Sequence, residues 1–252
     1  MKTIRTQKKF PNRGFTLIEM LVVVGIIGIL ASMILPALSY AKTKAKAKMA
    51  LTEAAAIAGA IQNYYNDYSR YPASASVMAN LSASGDFTYG TQGLVTLANV
   101  VSGGAVDYNN SELMCILMAV DTAATPPPSG INPNPNNSRN PRLTPYLNAK
   151  LVTGTSPGGI GSDYVYRDPF ANPYIISIDM SFDNVTFDTF YQQDAVSTGG
   201  VNGLFRNTAV AAPNNWAART PVMIWSFGPD QTADITKAAN TSPNSDNIVS
   251  WK

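Results

Sequence analysis

Histidine is absent from this 252-residue chain, and cysteine occurs once, at Cys115. Without an imidazole there is no Ser-His or Cys-His pair, no histidine general base and no histidine ligand for a metal. One cysteine excludes an intramolecular disulfide. It stands in Leu113-Met114-Cys115-Ile116-Leu117-Met118, an apolar setting that predicts a buried, inert thiol. Charge is scarce as well, with Asp, Glu, Lys and Arg together at 13% of the residues. No glycine-rich phosphate loop stands between a strand and a helix, since Gly158-Gly159-Ile160-Gly161 is turn material. No nucleophile is paired with a base. These absences point away from an enzyme, and no nucleic-acid partner is expected.

What the chain has instead is one long apolar run, Phe15 to Leu35, 21 residues reading FTLIEMLVVVGIIGILASMIL. As a helix it measures about 30 Å, the thickness of a bilayer's hydrocarbon core. Its one charge is Glu19. A carboxylate costs roughly 2–3 kcal/mol at the centre of a bilayer, so a retained one is expected to have a partner. Lys2, Arg5, Lys8, Lys9 and Arg13 precede the run with no acid among them, which favours a cytoplasmic amino terminus. Lys42, Lys44, Lys46 and Lys48 lie just beyond the run and nearly balance that bias. A secretory signal or simple signal anchor shares the basic start and apolar core. Neither accounts for a glycine directly before the run and a glutamate five residues after it.

The string Arg13-Gly14-Phe15-Thr16-Leu17-Ile18-Glu19 resembles the class III signal of type IV pilins and type II secretion pseudopilins. The resemblance implies that a prepilin peptidase/N-methyltransferase cuts between Gly14 and Phe15 and methylates the new terminus, giving N-methylphenylalanine at Phe15. Glu19 becomes the fifth mature residue and neutralises the Phe15 amine of a neighbouring subunit. Breaking such a buried pair costs about 3–5 kcal/mol. Pro36 falls where the family keeps a helix kink. Loss of the leader also removes five of the 18 basic residues, leaving the mature chain acidic, so the pI of 8.6 belongs to the precursor.

Five segments follow from this reading: a cleaved leader (1–14), a transmembrane and assembly helix (15–35), its periplasmic continuation (36–72), a variable helix and loop region with a Pro/Asn-rich insertion (73–162), and a carboxy-terminal β-region (163–252). In the continuation, Leu51, Ala54, Ala58, Ile61, Tyr65 and Tyr68 recur at spacings of three and four and predict one apolar stripe. Tyr68-Ser69-Arg70-Tyr71-Pro72 closes the helix and resembles the "RYP" of major pseudopilins. The spacing in Gln92–Val101 suggests a helical turn, and Asn110 is a candidate cap for a helix running to about Val120. Residues 125–145, TPPPSGINPNPNNSRNPRLTP, predict a mostly extended loop. Strands are expected at Tyr164–Tyr166, Tyr174–Ile178, Val222–Phe227 and Ile248–Trp251.

Arg167-Asp168-Pro169-Phe170-Ala171-Asn172-Pro173-Tyr174 resembles the "DPWGNPY" turn of major pseudopilins, with Phe170 for Trp and Ala171 for Gly. Trp225-Ser226-Phe227-Gly228-Pro229-Asp230 and Ile248–Trp251 resemble that family's carboxy-terminal motif. Between them lies a 20-residue loop, GPDQTADITKAANTSPNSDN, whose oxygen donors are Asp230, Asp234, Ser245, Asp246 and Asn247. In major pseudopilins this loop binds structural calcium, so the resemblance implies a calcium site at Asp230, Ser245, Asp246 and Asn247. The loop here is longer and lacks the family's glycines, and a solvated polar loop is the alternative.

The expected fold is α+β and pilin-like, a long amino-terminal membrane-spanning helix packed on a small antiparallel sheet. The function implied is that of a structural pseudopilin. It polymerises with itself into a periplasmic filament that drives type II protein secretion, anchored by a single pass in a bacterial inner membrane. Its partners are the peptidase, other pseudopilins and the inner-membrane secretion platform. The alternative is a type IV pilin for adhesion, motility or DNA uptake, although surface pilins commonly staple their carboxy-terminal region with a disulfide. A minor tip pseudopilin and a membrane-anchored secreted enzyme are further alternatives.

Overall fold

The computed structural model describes residues 14–79, 81–82, 84–90, 109–125 and 132–251. The leader before Gly14 and the helical turn expected at Gln92–Val101 lie outside the described residues. The chain divides into two units, Met1–Lys44 and Ala45–Lys252, and helix α1 (Leu17–Tyr68, 52 residues) begins in the first and ends in the second.

Alanine and long unbranched side chains give the middle of α1 its helical propensity. The helix continues through Pro36 without interruption. It stops at Ser69, which takes a left-handed φ of 51° while its N–H bonds the Tyr65 carbonyl at 2.7 Å. In the first unit nearly every described side chain is exposed. In the second unit, α1 buries Ala50, Ala54, Ile57, Ala60, Ile61 and Tyr64. The predicted stripe was therefore rotated. Ala54 and Ile61 belong to it, but Leu51 is exposed and Ala58, Tyr65 and Tyr68 are half-buried. Tyrosines at 64, 65 and 68 make neighbouring stripes almost equivalent in hydrophobicity. Tertiary contacts decide between them: the Tyr64 hydroxyl donates to the Arg139 carbonyl at 2.5 Å, and small alanines let the sheet approach.

A short helix α2 (Ala75–Ala79) follows, then strand β1 (Phe87–Tyr89) and helix α3 (Ser111–Leu117). Strands β2 (Gly159–Ile160) and β3 (Tyr166–Arg167) form a small antiparallel pair. Strand β4 (Ile175–Ile178), helix α4 (Asp194–Ser197), the pair β5 (Phe205–Arg206) and β6 (Trp216–Ala217), β7 (Val222–Ser226) and β8 (Ile248–Val249) complete the chain. The main sheet has the antiparallel order β1-β4-β7-β8. Phe87 lies opposite Ile178, Ile176 opposite Ile224, and Trp225 opposite Val249.

Both faces of this sheet are covered, which explains why β4 and β7 read as continuous apolar runs rather than alternating ones. One face carries Ile176, Ile178, Val222 and Ile224 against α1 and α3. The other carries Ile175, Met223 and Trp225 against Phe190, Tyr191, Phe227 and Leu204. This second layer comes from residues 186–218 and the carboxy-terminal loop, a stretch with little periodic pattern. Strand β1 sits in a segment expected to be loop and short helix.

Helix α3 is shorter than predicted. Asn110 occupies its N-cap position without capping it. Its amide donates instead to the carbonyls of Tyr166 and Tyr174, at 3.0 and 2.8 Å, and its oxygen accepts from the Tyr166 N–H at 2.9 Å. The capping oxygen belongs to Asn109, which accepts from the Ser111 N–H at 3.0 Å. Cys115 is buried, and burial pushes its thiol up to about 12. The described part of the Pro/Asn-rich segment is not extended but folded into turns. Asn134 and Asn140 are buried there, and Asn140 donates to the carbonyls of Ile116 and Thr144 at 3.0 and 2.7 Å. Asparagine imitates backbone hydrogen bonding in tight turns, so the composition that looked like a solvated loop builds a packed one.

Candidate functional site

The amino-terminal site starts at Gly14, where open space surrounds the position a Cβ would take. Phe15 is 77% exposed and Leu17 83%. The helix begins on a reciprocal pair. The Thr16 hydroxyl accepts from the Glu19 N–H at 3.3 Å, while one Glu19 carboxylate oxygen accepts from the Thr16 N–H at 2.8 Å and its hydroxyl at 2.7 Å. This is a capping box, and its Thr-x-x-Glu signature was in the sequence but not read there. In the intact chain Glu19 thus holds a local partner. The Phe15 nitrogen is a peptide nitrogen in the intact chain and offers Glu19 no positive charge. Among the described residues, α1 is the one helix long and apolar enough to cross a membrane.

The carboxy-terminal site is built by two arms. A 3₁₀ turn at Gly228–Asp230 leaves β7, and another at Asn244–Asp246 enters β8. They meet at Gly228, whose φ is +70° and whose added Cβ would lie 2.2 Å from the Asp246 carbonyl. Only glycine fits there. The Asp230 N–H donates to an Asp246 carboxylate oxygen at 3.2 Å. Burial first, and then the Asp230 charge, push Asp246 above the usual carboxylate range. Asn247 donates to the Tyr191 hydroxyl at 3.2 Å, while its Oδ1 is buried without a partner. Ser245 is exposed.

The structure thus brings Asp230 and Asp246 together. Asp234 is elsewhere, accepting from the Thr236 N–H and hydroxyl at 2.9 and 2.6 Å and lying 3.8 Å from Lys237. Asn244 staples the loop, donating to the Asp234 and Lys237 carbonyls at 2.8 Å each and accepting from the Asp234 N–H. Asp230, Asp246 and the unpartnered Asn247 oxygen are hard oxygen donors of the kind calcium takes. Among the described residues no group of three or more Asp, Glu, Cys or His is gathered to hold a metal. An ion here would complete its shell from carbonyls and water.

The Asp168–Tyr174 turn braces these arms. Asp168 is buried, which raises its carboxyl, and it accepts from the N–H groups of Phe170 and Asn172 at 2.8 Å each and from the Ser226 hydroxyl at 2.8 Å. Asn172 donates to the Gly228 carbonyl at 2.8 Å. Ala171, where the pseudopilin motif has glycine, sits at φ +76°. Trp251 stacks edge-on to Tyr191 at 5.0 Å.

A long apolar helix opened by a capped Thr-x-x-Glu after an exposed glycine, followed by a domain that packs a sheet on that helix's carboxy-terminal half, defines a pilin-like subunit. The family described as "Prokaryotic N-terminal methylation motif" matches residues 9–35. Type II secretion system core protein G of Klebsiella pneumoniae is 44% identical over 61 residues, 24% of this chain and 44% of that protein. The core protein G of Vibrio cholerae is 44% identical over 72 residues, 29% of this chain and 46% of the relative. The chain therefore spans less than half the length of these core G relatives. Fimbrial protein EcpC of Eikenella corrodens is 33% identical over 103 residues, 37% of this chain and 67% of that protein. The chain belongs to the type IV pilin-like family that carries the methylation motif. No solved structure matches it.

Proposed function

We propose that this chain is a pseudopilin, a structural subunit that a prepilin peptidase cleaves after Gly14 and methylates at Phe15. The processed subunit polymerises with itself and with other pseudopilins on an inner-membrane secretion platform, forming a periplasmic filament that drives type II secretion. The observation that carries this reading is the methylation motif at residues 9–35, running directly into an exposed apolar helix. The names of the core G relatives add the secretion system. Its role is mechanical rather than catalytic, in keeping with a chain that has no histidine. The globular unit faces the periplasm, an orientation that rests on the resemblance to pseudopilins, since Lys42, Lys44, Lys46 and Lys48 nearly offset the charge of the basic leader. Calcium, held by Asp230 and Asp246 with oxygens from Ser245 and Asn247, closes the carboxy-terminal loop and keeps two carboxylates from repelling one another.

Deletion of the gene is expected to stop export of type II substrates while leaving surface motility intact, and a chain carrying Gly14→Val should not restore export. Normal export in the deletion strain would overturn the reading. The longer match to a fimbrial protein supports a second reading, a type IV pilin. Loss of adhesion, motility or DNA uptake with export intact would establish that one instead.

A further inference from the structure

The turn Asn140-Pro141-Arg142-Leu143 closes with the Leu143 N–H bonded to the Asn140 carbonyl at 3.0 Å. It holds Leu143 at φ +53°, a left-handed backbone that a bulky apolar residue rarely adopts and that persists only where the surroundings enforce it. Leu143 is nonetheless 59% exposed, so its side chain makes a knob on the surface. The turn beneath it is fixed. The Tyr68 hydroxyl donates to Asn140 Oδ1 at 3.0 Å and accepts from the Arg142 N–H at 3.1 Å. Three arginines gather beside the knob. Arg70 and Arg142 lie over the Tyr68 ring, 5.7 and 5.3 Å from its centre, and Arg70 donates to the Arg139 carbonyl at 3.3 Å. Among the described residues Arg142 pairs with Asp67 at 3.3 Å, and no ion pair includes Arg70 or Arg139.

Elsewhere on the globular unit is a groove of about 170 Å³, lined by Ala47 and Leu51 of α1 and by Asn247, Ile248 and Val249. A cavity of roughly 150 Å³ takes a benzene-sized group, so one leucine side chain fits. Strand β8 is an edge of the main sheet, which leaves its outer side open. The rim of the groove accepts hydrogen bonds. Asn247 Oδ1 is buried without a partner, Asp246 precedes it in the chain, and the Asp230 N–H bonds an Asp246 carboxylate oxygen. The adjoining loop, 228–247, carries Asp230, Asp234 and Asp246 against one base, Lys237. Leu51 at the groove and Tyr68 under the knob are 17 residues apart on α1, about 26 Å along its axis. One molecule cannot seat its own knob in its own groove.

We propose that the Leu143 knob of one subunit seats in the α1–β8 groove of a second copy of this chain, with Arg70, Arg139 and Arg142 turned toward the Asn247 oxygen, Asp230 and Asp246. The contact deepens the filament reading and rests on it. An apolar tip ringed by cations meets an apolar groove rimmed by oxygen acceptors, so shape and charge agree. A carboxylate has about four acceptor sites, so one that holds an ion still accepts from a guanidinium. Knob and groove are different surfaces of the same chain, which makes the contact head-to-tail. Each added subunit presents a fresh knob and a fresh groove, and a contact of this kind that does not close into a ring builds an open helical polymer.

The test uses filaments of the full chain in a Cys115→Ala background. Leu143→Cys combined with Leu51→Cys, treated with a short bismaleimide, is expected to give a ladder of dimers and higher multimers. Either cysteine alone stays at background, because unlike patches meet. Leu143→Asn removes the apolar tip and puts in its place a residue that suits the left-handed backbone. It should leave Tm of the detergent-solubilised chain unchanged or higher while filament yield falls by roughly tenfold or more. Undiminished filament yield from Leu143→Asn, or filaments in which the double-cysteine pair gives no ladder, overturns the contact and leaves the filament reading standing. An unsubstituted chain that forms no filament overturns both.

Discussion

The two units of this chain solve the hydrophobic problem in opposite ways. Between Phe15 and Lys44 the large apolar side chains are exposed, with Ile18 at 68% and Met33 at 70%. From Ala45 onward most are enclosed, and Trp225, Tyr191 and Ile57 are buried completely, although Leu143 and Leu151 stay exposed. The first unit contains its signals, and on the proposed reading lipid and neighbouring subunits would supply its contacts. The second contains its own partners on both faces of one four-stranded sheet. A short linear code suffices for the first, whereas the second needs its long-range packing.

If that division holds, damage to one unit should leave the other intact. The largest effect is expected from Gly14→Val, which places a branched side chain at the cleavage position. Intact-mass measurement of the membrane fraction should show only precursor, while calcium-dependent melting is unchanged. A mature chain that begins anywhere but Phe15 would sink the signal assignment. Glu19→Ala should still insert, because removing a charge eases insertion, yet filament yield should collapse as the Phe15 amine loses its partner. Normal filament yield would remove the charge-pair argument.

On the other side of the division, Trp225→Ala should cost about 3–5 kcal/mol of domain stability and leave cleavage at Gly14 untouched. Processing that fails in this variant would mean the units are coupled. Calcium should raise the melting temperature of the full chain. Binding at a hundredfold excess over Kd contributes about 2.7 kcal/mol, and Asp230→Ala should diminish the shift without unfolding the chain in chelator. Identical melting curves in calcium and chelator would leave the loop held by its Asn244 staple alone. The smallest effect is Tyr64→Phe, which removes the hydrogen bond to the Arg139 carbonyl at about 0.5–1.5 kcal/mol and sharpens the choice between the two stripes of α1.

The amino-terminal unit was legible because its information is local. Length and hydrophobicity left Phe15–Leu35 as a membrane helix or a signal segment, and Gly14 before it and Glu19 within it narrowed that choice. The strands of the main sheet were found where they are rich in isoleucine, valine and tryptophan, at β4, β7 and β8. Strand β1 was not, because three residues between turns carry no period. The layer contributed by residues 186–218 was invisible for the same reason. Tyr64 and Tyr65 differ in burial through contacts made with Arg139, 75 residues away. At the carboxy-terminal site the pairing of Asp230 with Asp246 was legible from their places beside β7 and β8. The departure of Asp234 was not, since a short Asp-x-Thr-Lys turn captures it locally.

The crossing at Gly228 has a consequence for how related sequences can drift. Its missing side chain is occupied by the Asp246 backbone, so the two arms are locked in register whatever happens between them. The exposed tip at Asn240–Ser242 can then lengthen, shorten or change composition without moving either arm. Loop length becomes a free variable and the hinge residue a fixed one. An epitope or fluorophore inserted at that tip would ride on the outside of the domain while leaving the crossing undisturbed.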